Sequence, residues 1–331
     1  MTTSSLIKPS RKVFFTFIAL SCIFIYIWSI LSPPLPKESQ PIIFYSNQRH
    51  ADLRLTMLKA IRQAQKSLHM IMFGLSDNPI INAILQKQAE DLSVKIFYDK
   101  RSSPKLPFPK TMLTPVKTGG LLHQKILVLD EKRVFIGSAN MTASSLSMHD
   151  NLIIGLYSPQ IAKFLINKTP HESGHMITHI NGQPIELWLL PDTNGQAIHA
   201  IKNLLRAATH SIHIAMFTLT HRSLVDEIIK AHKRGVRVNL FLDFQSSIHA
   251  SKKMYDKLRR SGVNIKVSKG PQLLHHKYAY IDNKILISGS TNWTKSAFKR
   301  NKDCFCILYD LTRSQKKFMS DLVKIMDYES K

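Results

Sequence analysis

A chain of 331 residues has length for about two domains. With 44% hydrophobic and 21% charged residues its composition is that of a globular protein, and only three cysteines exclude a disulfide-stapled scaffold. The net charge of +24, from 46 Lys+Arg against 22 Asp+Glu, draws anionic partners, and nucleic acid and acidic phospholipid headgroups both qualify.

The first twelve residues carry Lys8, Arg11 and Lys12 and are expected to stay in the cytoplasm. Val13 to Leu31 holds no charge over 19 positions, long enough to span a bilayer and too long for the apolar part of a signal peptide. A single-pass anchor at 13–31 is expected, with the rest of the chain on the non-cytoplasmic side, or secreted if the segment is cleaved. Pro33, Pro34 and Pro36 mark a linker over 32–41.

From residue 42 onward the chain repeats itself. A short strand (Ile42 to Tyr45) and a helix-period stretch (Leu53 to Lys66) precede SLHMIMFGLSDNPIINAILQKQAEDLSVKIFYD, which runs from Ser67 to Asp99. A second strand (Glu186 to Leu190) and helix (Gln196 to Ala208) precede SIHIAMFTLTHRSLVDEIIKAHKRGVRVNLFLD, from Ser211 to Asp243. The spans are equal in length, and each reads strand, amphipathic helix, strand. The order β-α-β-α-β predicts two α/β lobes, 42–165 and 185–331, each with a largely parallel sheet, joined by a linker over 166–184.

The copies then diverge. The second has eight extra residues, which fit a basic helix (Ser251 to Arg260) and a strand (Val263 to Val267). The first has Pro104, Pro107, Pro109 and Pro115 among Lys100, Arg101, Lys105 and Lys110, an irregular basic loop. Non-equivalent loops beside equivalent motifs are where substrate choice is expected to lie.

The chemistry is carried by a doubled motif. His123, Lys125 and Asp130 spell HxKxxxxD, and His275, Lys277 and Asp282 spell it again. Ser138 and Asn140 follow the first His by 15 and 17 residues in GSAN, and Ser290 and Asn292 follow the second by the same offsets in GSTN. Each motif reads as a hairpin. His and Lys are two apart and share a strand face, while the Asp has opposite parity and falls at the turn. Asp130 and Asp282 therefore count with the catalytic set as motif members but read as structural groups that cap the turn or fix a lysine.

Two lysines and two asparagine amides can bind the non-bridging oxygens of a phosphodiester and stabilise charge in its transition state. One neutral imidazole can attack phosphorus, and the other can protonate the leaving oxygen and later activate water. Neither a metal nor a cofactor is called for. One lobe supplies one histidine, so the lobes are expected to face each other across a pseudo-two-fold axis, with no partner chain needed. A nucleophilic imidazole needs its second ring nitrogen held by an acceptor. Asp303, 28 residues after His275, is the expected partner there; at the same offset after His123 stands Asn151, with Asp150 just before it.

These residues resemble the phospholipase D superfamily, whose members carry paired HxKxxxxD motifs followed by GSxN. The resemblance implies two α/β/α lobes sharing one metal-free site, a phosphohistidine intermediate, and hydrolysis or transfer of a phosphatidyl group. It carries His123, Lys125, Ser138, Asn140, His275, Lys277, Ser290 and Asn292 into the site, with Asp303 as the acidic support; Asn151 departs from the pattern. GSTNWTKSAFKRNKD is similar to the nuclease and cardiolipin-hydrolase branch, whereas the expected anchor favours a phospholipid substrate. Nucleic acid is the alternative.

Two further signals are weighed down by context. His171, Glu172 and His175 form HExxH, but Pro170 and Gly174 break the helix a zinc protease needs. Phe73 and Phe217, with the methionines beside them, read as core strand residues.

Overall fold

The computed structural model describes residues 32–103, 105–270 and 272–330. The expected anchor at 13–31 lies outside them. Among the described residues no helix is long and apolar enough to cross a membrane.

Each lobe is built on one sheet. The first holds β1 (Ile42–Tyr45), α1 (Leu53–Arg62), β2 (Ser67–Met72), α2 (Asn78–Ala89), β3 (Ser93–Tyr98), β4 (Leu113–Pro115), β5 (Lys125–Leu129), β6 (Arg133–Gly137), α3 (Ala143–Ser147), β7 (Ile153–Tyr157) and α4 (Pro159–Ile166). The second holds β8 (Gly174–Ile180), β9 (Gln183–Leu189), α5 (Gln196–Ala207), β10 (Ser211–Met216), α6 (Arg222–Lys233), β11 (Arg237–Leu242), α7 (Phe244–Ile248), α8 (Lys252–Arg260), β12 (Asn264–Val267), β13 (Lys277–Ile281), β14 (Ile285–Gly289), α9 (Lys295–Lys299), β15 (Cys304–Leu308) and α10 (Arg313–Glu329). Several helices start where short polar side chains accept the orphan N–H groups, among them Asp52 before α1, Asp77 before α2, and Thr312 in a capping box before α10.

Strand order is β1-β7-β6-β5-β2-β3-β4 in the first sheet and β12-β11-β10-β13-β14-β15-β9-β8 in the second. The expectation of largely parallel sheets is corrected. Only β2–β3–β4 and β10–β11–β12 run parallel. The motif hairpins β5–β6 and β13–β14 insert antiparallel beside β2 and β10, and the strands beyond them stay antiparallel. A hairpin joined by a tight turn has no other choice. The irregular loop of the first lobe also yields a strand: β4 pairs with β3 as β12 pairs with β11. The stretch expected as a linker, 166–184, contains β8, which pairs with β9 over its full length and forms the edge of the second sheet.

Alternation along the motif strands sets the layers. Ile126 and Val128 of β5, and Tyr278 and Tyr280 of β13, enter one core that both sheets share with α4 and α10. Leu127 and Leu129 face α1 and α2, and Ala279 and Ile281 face α5 and α6. Each lobe is an α/β/α sandwich, and the shared apolar layer holds the lobes together. Hydrophobic burial of this kind, about 25 cal/mol per Å2, is the main force fixing their relative placement.

Candidate active site

β5 begins at Lys125 and β13 at Lys277, so each motif histidine sits two residues before a strand, on an extended segment that the opposite lobe clamps. His123 N donates to Lys302 O (2.7 Å) and Lys302 N to Leu121 O (2.8 Å). His275 N donates to Asp150 O (3.0 Å) and Asp150 N to Leu273 O (2.9 Å). The residues in the two clamps share one sequence offset, so the clamps are pseudo-two-fold mates.

The clamps exchange the histidine partners between lobes. Asp303, next to Lys302, places Oδ1 2.7 Å from His123 Nδ1, and Asn151, next to Asp150, places Oδ1 3.0 Å from His275 Nδ1. The expected pairing of Asp303 with His275 is corrected: Asp303 of the second lobe reaches across the seam to His123, and His275 is held by Asn151 of the first lobe. An acceptor at Nδ1 keeps the ring proton there and turns the Nε2 lone pair outward.

The GSxN serines hold these acceptors. Ser290 Oγ donates to Asp303 Oδ1 (2.6 Å) and Ser138 Oγ to Asn151 Oδ1 (2.7 Å). Both are buried and support the histidines through the acceptors. The preceding glycine is a packing requirement. A Cβ on Gly137 would stand 2.3 Å from Leu152 O, and one on Gly289 2.3 Å from Cys304 O.

Lys125 Nζ and Lys277 Nζ each donate to the carbonyl of their own motif histidine at 2.7 Å. Phe73 and Phe217 lie beneath them, with ring centroids 5.2 and 4.8 Å from the ammonium nitrogens and 5.3 and 5.1 Å from the His123 and His275 rings. These two aromatics, read from sequence as plain core residues, are walls of the site. Their signal was their equivalent place in the repeat, one step past β2 and β10. Asn140 Oδ1 accepts from Gly74 N (3.3 Å) and Asn292 Oδ1 from Thr218 N (3.2 Å), which aims each amide NH2 away from the fixed oxygen.

Asp130 and Asp282 do other work. Asp130 Oδ1 accepts from Gln65 N and Lys66 N at 2.8 Å, and Asp282 accepts from Thr209 N, His210 N and Ser211 N, each at 2.8 Å. Each stands at a left-handed turn position and latches the motif hairpin to the start of the neighbouring strand. Neither fixes a lysine. His171 lies on a turn and His175 on β8, where its ring stacks on Trp188 at 3.6 Å; the helix that HExxH chemistry requires is not formed.

The site is deeply desolvated. Burial, then the Lys125 charge, lowers the His123 pKa, while Asp303 opposes the shift. Burial, then Lys277, Lys125, His123 and His149, carries His275 well below its ordinary value. Burial lowers Lys125 to about 8 and Lys277 well below the usual lysine range. Burial alone would raise Asp303, but the His123 charge and the hydrogen bonds from His123 and Ser290 hold it below the ordinary carboxylate value. Charges of the two lobes thus act on one another, and the half-buried His149 joins them with its ring 6.2 Å from that of His275.

Two duplicated α/β lobes contributing one His–Lys–Asn set each to a common seam define a class of bilobal proteins. The chain belongs to the phospholipase D superfamily: the family profile described as "Cardiolipin synthase, PLD-like domain" matches residues 57–169 and 201–327. Mitochondrial cardiolipin hydrolase of Chlamydomonas reinhardtii is 34% identical over 106 residues, 32% of this chain and 47% of that protein. The human protein of that name is 32% identical over 115 residues, 34% of this chain and 45% of its own length. A phospholipase D of Rickettsia conorii is 31% identical over 110 residues, 33% of this chain and 54% of its own length. The chain thus spans about half the length of these curated relatives. Phosphatidylserine synthase of Haemophilus influenzae Rd KW20 shares the fold, with a TM-score of 0.66 and 14% identity over 90% of this chain and 88% of that one.

Proposed function

We propose that the chain is a membrane-anchored phosphodiesterase that cleaves phospholipid phosphodiester bonds through a phosphohistidine. The observation that carries the reading is the exchanged support of the two imidazoles, a carboxylate behind His123 and a neutral amide behind His275. The relatives named as cardiolipin hydrolase and phospholipase D favour a phospholipid substrate.

His123 is the nucleophile in this reading. Attack by Nε2 builds positive charge on the ring, and Asp303 stabilises it. The P–N bond forms as the P–O bond to the leaving alcohol breaks. His275 Nε2–H gives its proton to that oxygen. Neutral His275 then takes a proton from water, the hydroxyl attacks phosphorus, the P–N bond breaks, and both histidines return to their starting states. If an alcohol replaces water, the outcome is phosphatidyl transfer. Lys125, Lys277 and the Asn140 and Asn292 amides hold the non-bridging oxygens.

The resting field around His275 opposes its protonation. A bound phosphodiester brings a negative charge that offsets the two lysines, so the acid becomes charged when substrate arrives. The +24 charge favours a second reading, an endonuclease acting on DNA or RNA by the same steps. The two readings separate in one experiment: full-length protein in vesicles, with chelator present, assayed for headgroup release and for nucleic-acid cleavage, with His123→Ala and His275→Ala as controls. Headgroup release that survives chelator and dies in both variants supports the first reading; nucleic-acid cleavage without headgroup release overturns it.

A further inference from the structure

Six large apolar side chains are exposed among the described residues, and four of them belong to segments around the His275 half of the site. Met148 precedes His149, whose ring neighbours His275. Phe244 and Ile248, 42% and 44% exposed, stand four residues apart on α7 and therefore share one face. Tyr328, 86% exposed, lies near the end of α10, where its carbonyl accepts from Lys269 Nζ at 3.5 Å.

α7 is tied to the catalytic segment. Asp243 caps it by accepting from Ser246 N (2.9 Å), and its other oxygen accepts from Leu274 N (3.2 Å), the residue before His275. Phe244 N in turn donates to Ser268 Oγ (3.1 Å). Ser268 and Lys269 line both the cavity beside Phe244 and the larger cavity, about 490 Å3, that Asp150, Leu274 and Tyr328 also line. The exposed apolar residues of α7 and Tyr328 are therefore joined by one continuous rim.

This rim is basic. α8 follows α7 directly and carries five basic residues against one acidic in KKMYDKLRR, with Lys253 and Lys269 exposed. α7 and α8 belong to the segment in which the second lobe exceeds the first, so the first lobe has no counterpart to this surface. Isolated apolar side chains on a protein surface need no explanation, but a set anchored to a catalytic strand and flanked by lysines has the composition of an interfacial membrane contact. Nucleic acid would use the lysines and could stack a base on Phe244, but the aliphatic Ile248 that shares its face offers a base little and suits an acyl boundary.

We infer that α7, with Phe244 and Ile248 and the flanking lysines, is a docking face for an anionic phospholipid leaflet, which seats the bilayer surface beside His275. The inference rests on the phospholipid reading above and adds to it where on the protein the lipid surface lies. Phe244 and Ile248 enter the headgroup–acyl boundary, and Lys253 and Lys269 remain among the phosphates.

The test uses the full chain in phosphatidylcholine vesicles with and without phosphatidylglycerol. The double variant Phe244→Ser, Ile248→Ser should lose about tenfold in vesicle lipid hydrolysis, in line with the apolar area withdrawn, and keep its turnover of soluble bis(p-nitrophenyl) phosphate. Equal loss on both substrates, or no loss on vesicles, overturns the docking face, as does an equal loss in DNA cleavage. A dye on Ile248→Cys in a Cys22→Ser background should shift to the blue and be quenched by spin-labelled lipid, more strongly with phosphatidylglycerol; Cys304 and Cys306 are buried and do not compete. A shielded dye in a protein that releases no headgroup would support the docking face while removing the phospholipid substrate. A solvent-exposed dye in a protein that does cleave lipid would remove the docking face alone.

Discussion

Asn151 holds His275 across the seam of the molecule, amide oxygen to Nδ1 at 3.0 Å, in the place where Asp303 holds His123. The amide is demanded by its own surroundings. Its NH2 donates to Ser145 O at 2.8 Å and His149 O at 3.1 Å, while its oxygen already serves Ser138 and His275. A carboxylate there would face two carbonyl oxygens. Asp303 meets the opposite environment, with Ser290, His123 and the Asn301 amide all donating to it.

Asn151→Asp should therefore move the pH profile and weaken the fold together. As general acid, His275 must carry a proton, so kcat falls as pH rises through its pKa. A carboxylate beside the ring raises that pKa, and the alkaline limb should move up by about one to two units. Its second oxygen would face two carbonyls, with the Ser145 hydroxyl at 3.3 Å as the one nearby donor, so the variant should lose about 1–3 kcal/mol of stability. An alkaline limb that stays in place while the variant remains folded would remove His275 from the acid role.

The division of labour between the histidines can be trapped chemically. With a p-nitrophenyl phosphodiester the leaving group needs no proton, so His275→Ala should still form the phosphoenzyme and then stall, because nothing activates water. His123→Ala should form none. Rapid acid-free quenching and phosphorus NMR on the two variants would give an N-phosphohistidine signal in the first alone. Asp303→Asn should slow formation of that signal by roughly 10²–10⁴-fold, because an amide leaves the positive charge that builds on the ring uncompensated.

Much of this arrangement is written in the chain, and what is not has identifiable causes. The repeat fixes two α/β lobes because strand and helix periods recur in register. The doubled HxKxxxxD and GSxN fix which side chains meet, because two-residue spacing on a strand puts them on one face. The exchange of Asp303 and Asn151 is invisible in sequence, since it arises from backbone pairing of Leu122 with Lys302 and of Leu274 with Asp150 across the seam. Phe73 and Phe217 look like any apolar strand end until the lysines are seen to fold over them. β8 was hidden because His175, Ile177 and His179 are exposed, as an edge strand allows, and the run reads as polar connection.

The motif aspartates should report on stability and leave chemistry largely intact. Asp282→Ala removes an acceptor for three backbone N–H groups at the mouth of β10 and should cost about 1–2 kcal/mol, a fall of several degrees in Tm. Burial would raise this carboxyl, but its backbone hydrogen bonds from Ser211, Thr209 and His210 prevail and hold it below the ordinary value. Its stabilising contribution is therefore present above the unfolded pKa and lost as pH falls through the lower, folded one. Asp282→Ala should flatten acid unfolding in that window, and its folded fraction should keep kcat. A kcat collapse at unchanged Tm would return Asp282 to the chemistry.

The glycines of GSxN offer a sterner test of how packing sustains the site. A methyl on Gly289 would meet Cys304 O at 2.3 Å and Phe305 Cα at 2.6 Å, both backbone atoms of β15 that cannot rotate away. Gly289→Ala must push β14 off β15. That motion also displaces Ser290, whose hydroxyl holds Asp303, and through it the His123 ring. Overpacking of this kind typically costs about 1–3 kcal/mol, so the variant should remain foldable at low temperature. There its phosphoenzyme formation should drop more steeply than its thermal stability, because a shift of about 1 Å in a nucleophile costs on the order of 100-fold in rate. Gly182→Ala is the control: its added methyl meets no atom within 4 Å, and its positive φ of 80° places the strain in the β8–β9 turn. That variant should lose stability at unaltered phosphoenzyme rate, and if the two glycine variants behaved alike, the chain of contacts from Gly289 to His123 would carry no catalytic information.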